Sequence, residues 1–199
     1  MKKIKTLKTP VEGFYSEKGS KFYAYAFPIQ TKKEVKPLVK QLKEQHLKAN
    51  HFCFAYLLDR GKEVYALSND DGEPKNSAGA PILGQIKSFE LSNILVVVLR
   101  YFGGTKLGIS GLINAYKTSA KDVLNKADFI IVEKEKHFQL QVNYANLGTI
   151  LSIIDKNQLN VKIQHHTAQA EIIISVKENQ LTAMLDLFSP LDIKLHQLD

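Results

Sequence analysis

Three short stretches of this chain hold side chains with chemistry to offer. Asp70-Asp71-Gly72-Glu73-Pro74 sets three carboxylates within four positions. Carboxylate oxygens are hard ligands that suit Mg²⁺ or Ca²⁺, but the string lacks the further spaced oxygens of an EF-hand loop. Asp, Gly and Pro are also turn residues in their own right, which favours a turn over a metal site. His51-Phe52-Cys53 places an imidazole and a thiol two residues apart. On a strand such residues share a face, and a Cys–His pair activates a thiolate where an oxyanion site and an orienting group complete it. A strand cysteine is more commonly a small buried hydrophobe. The roles of His51, Cys53, Asp70, Asp71 and Glu73 stay open at this level.

The third stretch runs Arg100-Tyr101-Phe102-Gly103-Gly104-Thr105-Lys106-Leu107-Gly108-Ile109-Ser110-Gly111. A strand enters it and a helix leaves it, so backbone N–H groups near the helix start, with Arg100 and Lys106 beside them, suit an anion. The spacing matches neither the Walker A loop nor the dinucleotide-binding glycine pattern. The competing reading is a loop in which Gly103, Gly104, Gly108 and Gly111 serve tight packing. Lys117 and Lys121, four residues apart on the following helix, and Lys75 beside the acidic turn complete the candidate anion-binding set.

The elements that must position these groups follow from periodicity. Phe22–Phe27 alternates and is rich in aromatics, hence a strand. Val35, Leu38, Val39 and Leu42 form one apolar helical stripe. Thr31-Lys32-Lys33-Glu34 has capping-box spacing, while Pro37 leaves two readings: a helix that begins near Glu34, or a kinked one. Strands are expected at Phe52–Leu58 and Glu63–Leu67, joined by a hairpin around Arg60-Gly61. A short helix at Pro81–Phe89 and a buried strand at Ile94–Leu99 come next. A glycine-rich loop from Tyr101 to Gly111 leads into a helix from about Leu112 to Lys126, burying Ile113, Tyr116, Ala120, Leu124 and Ala127. Phe129–Val132 closes the unit as a strand.

After the charged run Glu133–Lys136 the pattern restarts. Strands at His137–Val142, Val161–Gln164, Ile172–Val176 and from Ile193 alternate with two helical stripes. One is Leu147, Ile150, Leu151 and Ile154; the other is Leu181, Met184, Leu185 and Phe188, ended by Ser189-Pro190. The order is the split βαβ of ferredoxin-like domains. The expected fold class is α+β, with domains at 1–134 and 135–199.

Composition narrows the class. The 199 residues are 44% hydrophobic and 24% charged, which excludes disordered and collagen-like chains. The longest apolar run, Ile94–Leu99, is far short of the roughly 20 residues of a membrane helix, and the first residues lack the apolar segment of an export signal. With Cys53 the only cysteine, no internal disulfide and no Cys-rich zinc site can form. A cytoplasmic address is expected, without membrane, metal or cofactor. The net charge of +7 is concentrated at the start: residues 1–50 carry a surplus of +8, 51–134 about +1 and 135–199 about −2. Such a patch attracts phosphate or an acidic partner, or simply keeps the surface solvated.

Asp70-Asp-Gly-Glu-Pro74, then Ser77-Ala-Gly-Ala-Pro-Ile-Leu83, Arg100-Tyr-Phe-Gly-Gly104 and Ala115-Tyr116 together resemble the YigZ/IMPACT family, as does His51-Phe-Cys-Phe-Ala-Tyr56. The resemblance covers nearly the whole chain. It departs at Ala80 and Asn114, where members often carry a basic residue, and at Asn76 and Ser110, where they often carry Gly. It implies a first domain like the second domain of a small-subunit ribosomal protein and a ferredoxin-like second domain. That tandem is similar to domains IV and V of elongation factor G. It also implies a link to translational control, since eukaryotic members bind a ribosome-associated activator of a stress kinase. The reading this favours is a non-enzymatic, translation-associated regulator. It would bind RNA, the ribosome or a translation-control protein, in an oligomeric state the sequence leaves open. The alternative is a small cytosolic enzyme using Asp70, Asp71 and Glu73 with a metal, or Cys53 with His51.

Overall fold

A computed structural model describes residues 3–60, 63–133, 135–165, 169–177, 180–189, 191 and 193–198. Gly61 of the expected hairpin, Lys134 of the expected boundary and Pro190 of the expected helix stop lie outside the described residues. The chain divides into two compact units, Ile4–Val132 and a second that runs from Glu133 onward and also takes Lys3.

The first unit is built on a five-stranded antiparallel sheet. Its strands are β2 (Val11–Glu17), β3 (Ser20–Pro28), β4 (His51–Asp59), β5 (Val64–Asn69) and β6 (Ile94–Tyr101), in the order β2-β3-β6-β4-β5. The run Ile94–Leu99 is central and fully buried on both faces, which explains its lack of alternation. On one face Phe22, Ala24, Ala26, Cys53, Ala55, Val96 and Val98 pack against α2 (Gly79–Ser88) and α3 (Gly108–Asn125). On the other face Phe52, Tyr56, Leu58, Leu95, Val97 and Leu99 pack with Val35 and Leu42 of α1 (Val35–Gln45). A separate two-stranded sheet pairs β1 (Lys3–Leu7) with β7 (Phe129–Glu133).

The start of α1 resolves the Pro37 ambiguity. A short 3₁₀ turn over Lys32–Glu34 precedes the helix, and the Glu34 carboxylate accepts the N–H groups of Gln30 and Thr31 at 3.0 and 2.6 Å. Pro37 then falls in the first turn, where a helix has no use for its missing N–H. The helix α3 begins at Gly108, four residues before the expected start, so Gly108 and Gly111 belong to its first turn rather than to a loop. Its buried stripe is Leu112, Ala115, Tyr116, Ser119, Ala120, Val123 and Leu124, while Ile113, expected inside, is 39% exposed.

The second unit runs β8 (Glu135–Asn143), α4 (Tyr144–Lys156), β9 (Asn160–His165), β10 (Gln169–Lys177), α5 (Leu181–Phe188) and β11 (Lys194–Leu198). Its antiparallel sheet has the order β11-β8-β10-β9. Strand β10 alternates strictly, burying Ala170, Ile172, Ile174 and Val176. The last three pack with Leu140, Val142, Ile150, Ile154, Met184 and Phe188, a core drawn from sheet and both helices.

A cleft beside a buried ion pair

The acidic turn sends its three carboxylates to three different places. Asp70 accepts the N–H groups of Ala78 and Gly79 at 3.0 and 2.8 Å and that of Asn76 at 2.8 Å. It thereby caps the start of α2, where a negative charge also meets the positive helix end. Asp71 accepts the Phe52 N–H at 2.7 Å and lies 3.5 Å from Lys43 Nζ. The buried Glu73 accepts both the Arg100 guanidinium and the Tyr116 hydroxyl at 2.8 Å. Among the described residues no three His, Cys, Asp or Glu side chains gather as a metal site. Asn76 sits at φ +63°, a left-handed conformation that Asn tolerates better than most residues.

The Cys53 thiol and the His51 imidazole engage different partners. The Cys53 thiol donates to the Asp70 carbonyl at 3.0 Å and lies 3.4 Å from the Tyr116 hydroxyl. Burial holds both this thiol and the Tyr116 phenol well above their ordinary ranges. Cys53 is therefore a protonated donor in a sealed chain that runs Cys53, Tyr116, Glu73, Arg100. His51 sits 27% exposed at its side chain, opposite Arg100 in the β4–β6 register. Its Nδ1 faces the Asp71 carbonyl at 2.8 Å. A carbonyl only accepts, so Nδ1 carries the hydrogen, and Nε2 is the atom 3.9 Å from Glu73.

His51, Glu73 and Arg100 form part of the wall of a cleft of about 390 Å³. Asn50, His51, Glu73, Arg100 and Lys106 supply its polar atoms. Pro74, Phe102, Leu107, Ile109 and Leu112 supply apolar surface, and Gly108 opens it at the start of α3. Arg100 is only 6% exposed, and its Nε has no hydrogen-bond partner among the described residues. An unsatisfied buried donor of this kind costs about 1–3 kcal/mol. Phe102 lies 5.6 Å from the Arg100 guanidinium and its N–H is held by Asn50 Oδ1 at 2.8 Å.

The sequence-predicted anion set is thus divided by the structure. Arg100, Lys106 and Gly108 line the cleft with His51 and Glu73. Lys75, Lys117 and Lys121 are exposed and do not line it. Lys117 is nine residues beyond Gly108 on α3, roughly 13 Å along the helix axis. Gly103 answers to packing: a Cβ there would lie 1.9 Å from the Gly19 carbonyl carbon, so two backbones meet. Gly104 answers to conformation, with φ +85° and open space around it. Gly111 is half-buried within α3. Asn50 lines the cleft and was not singled out from sequence; Tyr116, named there for its motif and its buried stripe, holds Glu73 from α3. A 3.6-residue stripe marks Tyr116 as buried but says nothing of where its hydroxyl goes.

This α/β chain of two units, with an Arg-Tyr-Phe-Gly-Gly loop locked to an Asp-Asp-Gly-Glu-Pro turn, defines a recognisable class. The Impact N-terminal domain family model matches residues 18–124, and the chain belongs to the IMPACT family. It is similar to the IMPACT family member YvyE of Bacillus subtilis, 31% identical over 172 residues, 86% of this chain and 79% of that one. It is also similar to the family member YigZ of Escherichia coli, 29% identical over 168 residues, 84% and 81% of the two chains. The crystal structure of a hypothetical protein superposes over 100% of this chain and 98% of its own with TM-score 0.81 at 24% identity, a likeness of fold. Among the described residues no helix is long and apolar enough to cross a membrane.

Proposed function

We propose that this chain is a non-enzymatic, cytoplasmic regulator associated with translation, which acts by binding RNA, the ribosome or a translation-control protein. Membership of the IMPACT family supports the link to translation. The observation that carries the binding role is the exposed Lys106 at the open start of α3, beside a cleft rather than over a filled core. The enzyme alternative loses support because the Cys53 thiol is sealed and protonated, and each acidic-turn carboxylate is already engaged by the protein. The domains are assigned as 1–134 and 135–199. The first is read as like elongation factor G domain IV and the second as ferredoxin-like. The split βαβ order of the second unit supports the latter reading.

Titration of single-stranded RNA and of purified ribosomes across a range of salt tests this reading. Phosphate recognition makes log affinity fall linearly with log salt, by about 0.7–0.9 per phosphate neutralised. A salt-insensitive interaction with a purified translation protein would place the partner among proteins. Failure to bind RNA, ribosomes and translation factors alike would overturn the reading.

A further inference from the structure

We infer that the free edge of β5 takes an extended acidic peptide of a partner protein, added as a sixth strand of the sheet. This surface is separate from the Lys106 cleft, and the inference does not rest on the binding role given to that cleft.

The sheet has β2 at one edge and β5 at the other, and the two are finished differently. At the β2 edge Asp122 of α3 accepts the Phe14 N–H at 2.9 Å. Gly13 packs so tightly there that a Cβ would sit 2.9 Å from the Val123 Cα, and Glu12 and Glu17 add charge along the strand. Charges and covering segments are how proteins close an edge against further strands. Strand β5, Val64-Tyr65-Ala66-Leu67-Ser68-Asn69, has no charge and no proline, and every residue is exposed. Val64 is 53%, Tyr65 46% and Leu67 43% exposed, and among the described residues β4 is the only strand paired with it.

The register shows which backbone groups look outward. Arg60 N–H donates to the Glu63 carbonyl at 2.8 Å, one step beyond the Asp59–Val64 pair. Hydrogen-bonded pairs recur at every second step of an antiparallel ladder, so Leu58–Tyr65 and Tyr56–Leu67 bond across to each other. The N–H and C=O groups of Val64, Ala66 and Ser68 therefore point away from β4. Such a row is what an added peptide strand uses for affinity, with its alternate side chains giving specificity.

Charge selects the occupant. Lys36, Lys40 and Lys43 are exposed and share one flank of α1 by their spacing. Lys43 Nζ lies 5.2 Å over the Phe52 ring of β4 and 3.5 Å from Asp71, just past the end of β5, which sets that flank on the β5 side. Lys40 also meets Glu44 at 3.7 Å, with both side chains largely in solvent, a pair of little strength. Glu63, at the start of β5, is held by the Tyr65 hydroxyl. A peptide with carboxylates at alternate positions presents them all on the α1 side, and its other residues lie beside Val64 and Ala66 on the opposite face. A second copy fits worse. Antiparallel β5–β5 pairing about a two-fold axis keeps both α1 helices on one face, with their lysine flanks turned toward each other.

The test uses the full chain and a capped nine-residue peptide alternating valine with glutamate, read by amide NMR and hydrogen exchange. The peptide is expected to shift β5 saturably and to slow exchange of the Val64, Ala66 and Ser68 amides by at least about tenfold. The Tyr65 and Leu67 amides, already bonded to β4, should change less. Ala66→Pro removes one outward N–H without touching the ladder to β4; it should abolish peptide binding and leave RNA and ribosome affinity unchanged. Two peptides N-methylated on every valine or on every glutamate test the same bonds with the protein intact, and at least one must fail to bind. Lys36→Glu with Lys40→Glu should weaken binding at least about fivefold. Absence of saturable shifts overturns the inference, as do binding by both methylated peptides and equal binding of a lysine-for-glutamate analogue. So does concentration-dependent protection of Val64 and Ala66 without peptide, accompanied by dimer in sedimentation, which makes a second copy the occupant. RNA that moves the β5 amides where the acidic peptide does not also overturns it.

Discussion

Arg100 Nη1 donates to Glu73 Oε1 across 2.8 Å, with both side chains almost sealed from solvent. This ion pair ties the acidic turn before α2 to the penultimate residue of β6, so the two long motifs of the sequence are halves of one structure. Breaking a buried pair leaves an uncompensated charge, which costs about 3–5 kcal/mol. Glu73→Gln is therefore expected to lower unfolding free energy by that amount in urea denaturation, and Arg100→Met to do likewise, because it strands the buried Glu73 carboxylate. A loss below about 1 kcal/mol for Glu73→Gln would contradict the role assigned to the pair.

Cys53 should couple stability to alkaline pH. Its folded pKa is raised by burial, while an unfolded cysteine titrates near about 8.5. The folded state thus holds its proton where the unfolded state loses it. The contribution is fully present below about pH 8.5 and falls as pH rises, by up to about 1.4 kcal/mol per unit. Cys53→Ala should cost about 1–2 kcal/mol at neutral pH and flatten the decline between neutrality and pH 10. Native protein should react slowly with thiol reagents; fast labelling would refute the sealed-thiol assignment.

Gly103 and Gly104 are adjacent yet should respond differently to alanine. At Gly103 the new Cβ meets Gly19 and Ser20 backbone at 1.9–2.2 Å, so two segments must separate. At Gly104 only the left-handed backbone resists, about 1–2 kcal/mol. Gly103→Ala should depress Tm more than Gly104→Ala, and equal shifts would show that close packing at Gly103 is not a determinant.

Much of this fold was legible in the sequence. The buried run Ile94–Leu99, the aromatic alternation of Phe22–Phe27 and the stripe Val35, Leu38, Val39, Leu42 all report burial directly. Strands β1 and β2 were not, because Lys3-Ile4-Lys5-Thr6-Leu7 is short and lysine-rich and β2 carries Glu12, Gly13 and Ser16. The pair Lys18-Gly19, both at positive φ, was an available hairpin signal. The site was legible only as residue types. That Asp70 caps α2, or that Tyr116 reaches Glu73 across 43 residues, depends on register and helix docking that no local pattern encodes.

The assigned domain boundary has its own consequence. Glu133–Lys136 joins two units with separate cores, so limited trypsin digestion should cut there first. Earliest cuts inside residues 51–126 would contradict the assignment.

The central claim, that Lys106 at the start of α3 marks the binding surface, is tested most directly by three equal charge reversals. These are Lys106→Glu in the cleft, Lys121→Glu roughly 20 Å further along α3, and Lys8→Glu on the exposed segment after β1. Each is measured for RNA and ribosome affinity over a salt series. Lys106→Glu is expected to weaken binding most and to reduce the log–log salt slope by about 0.7–0.9, one phosphate contact, with Lys8→Glu leaving the slope unchanged. Equal weakening by all three would show that only overall basic charge matters and would contradict the claim.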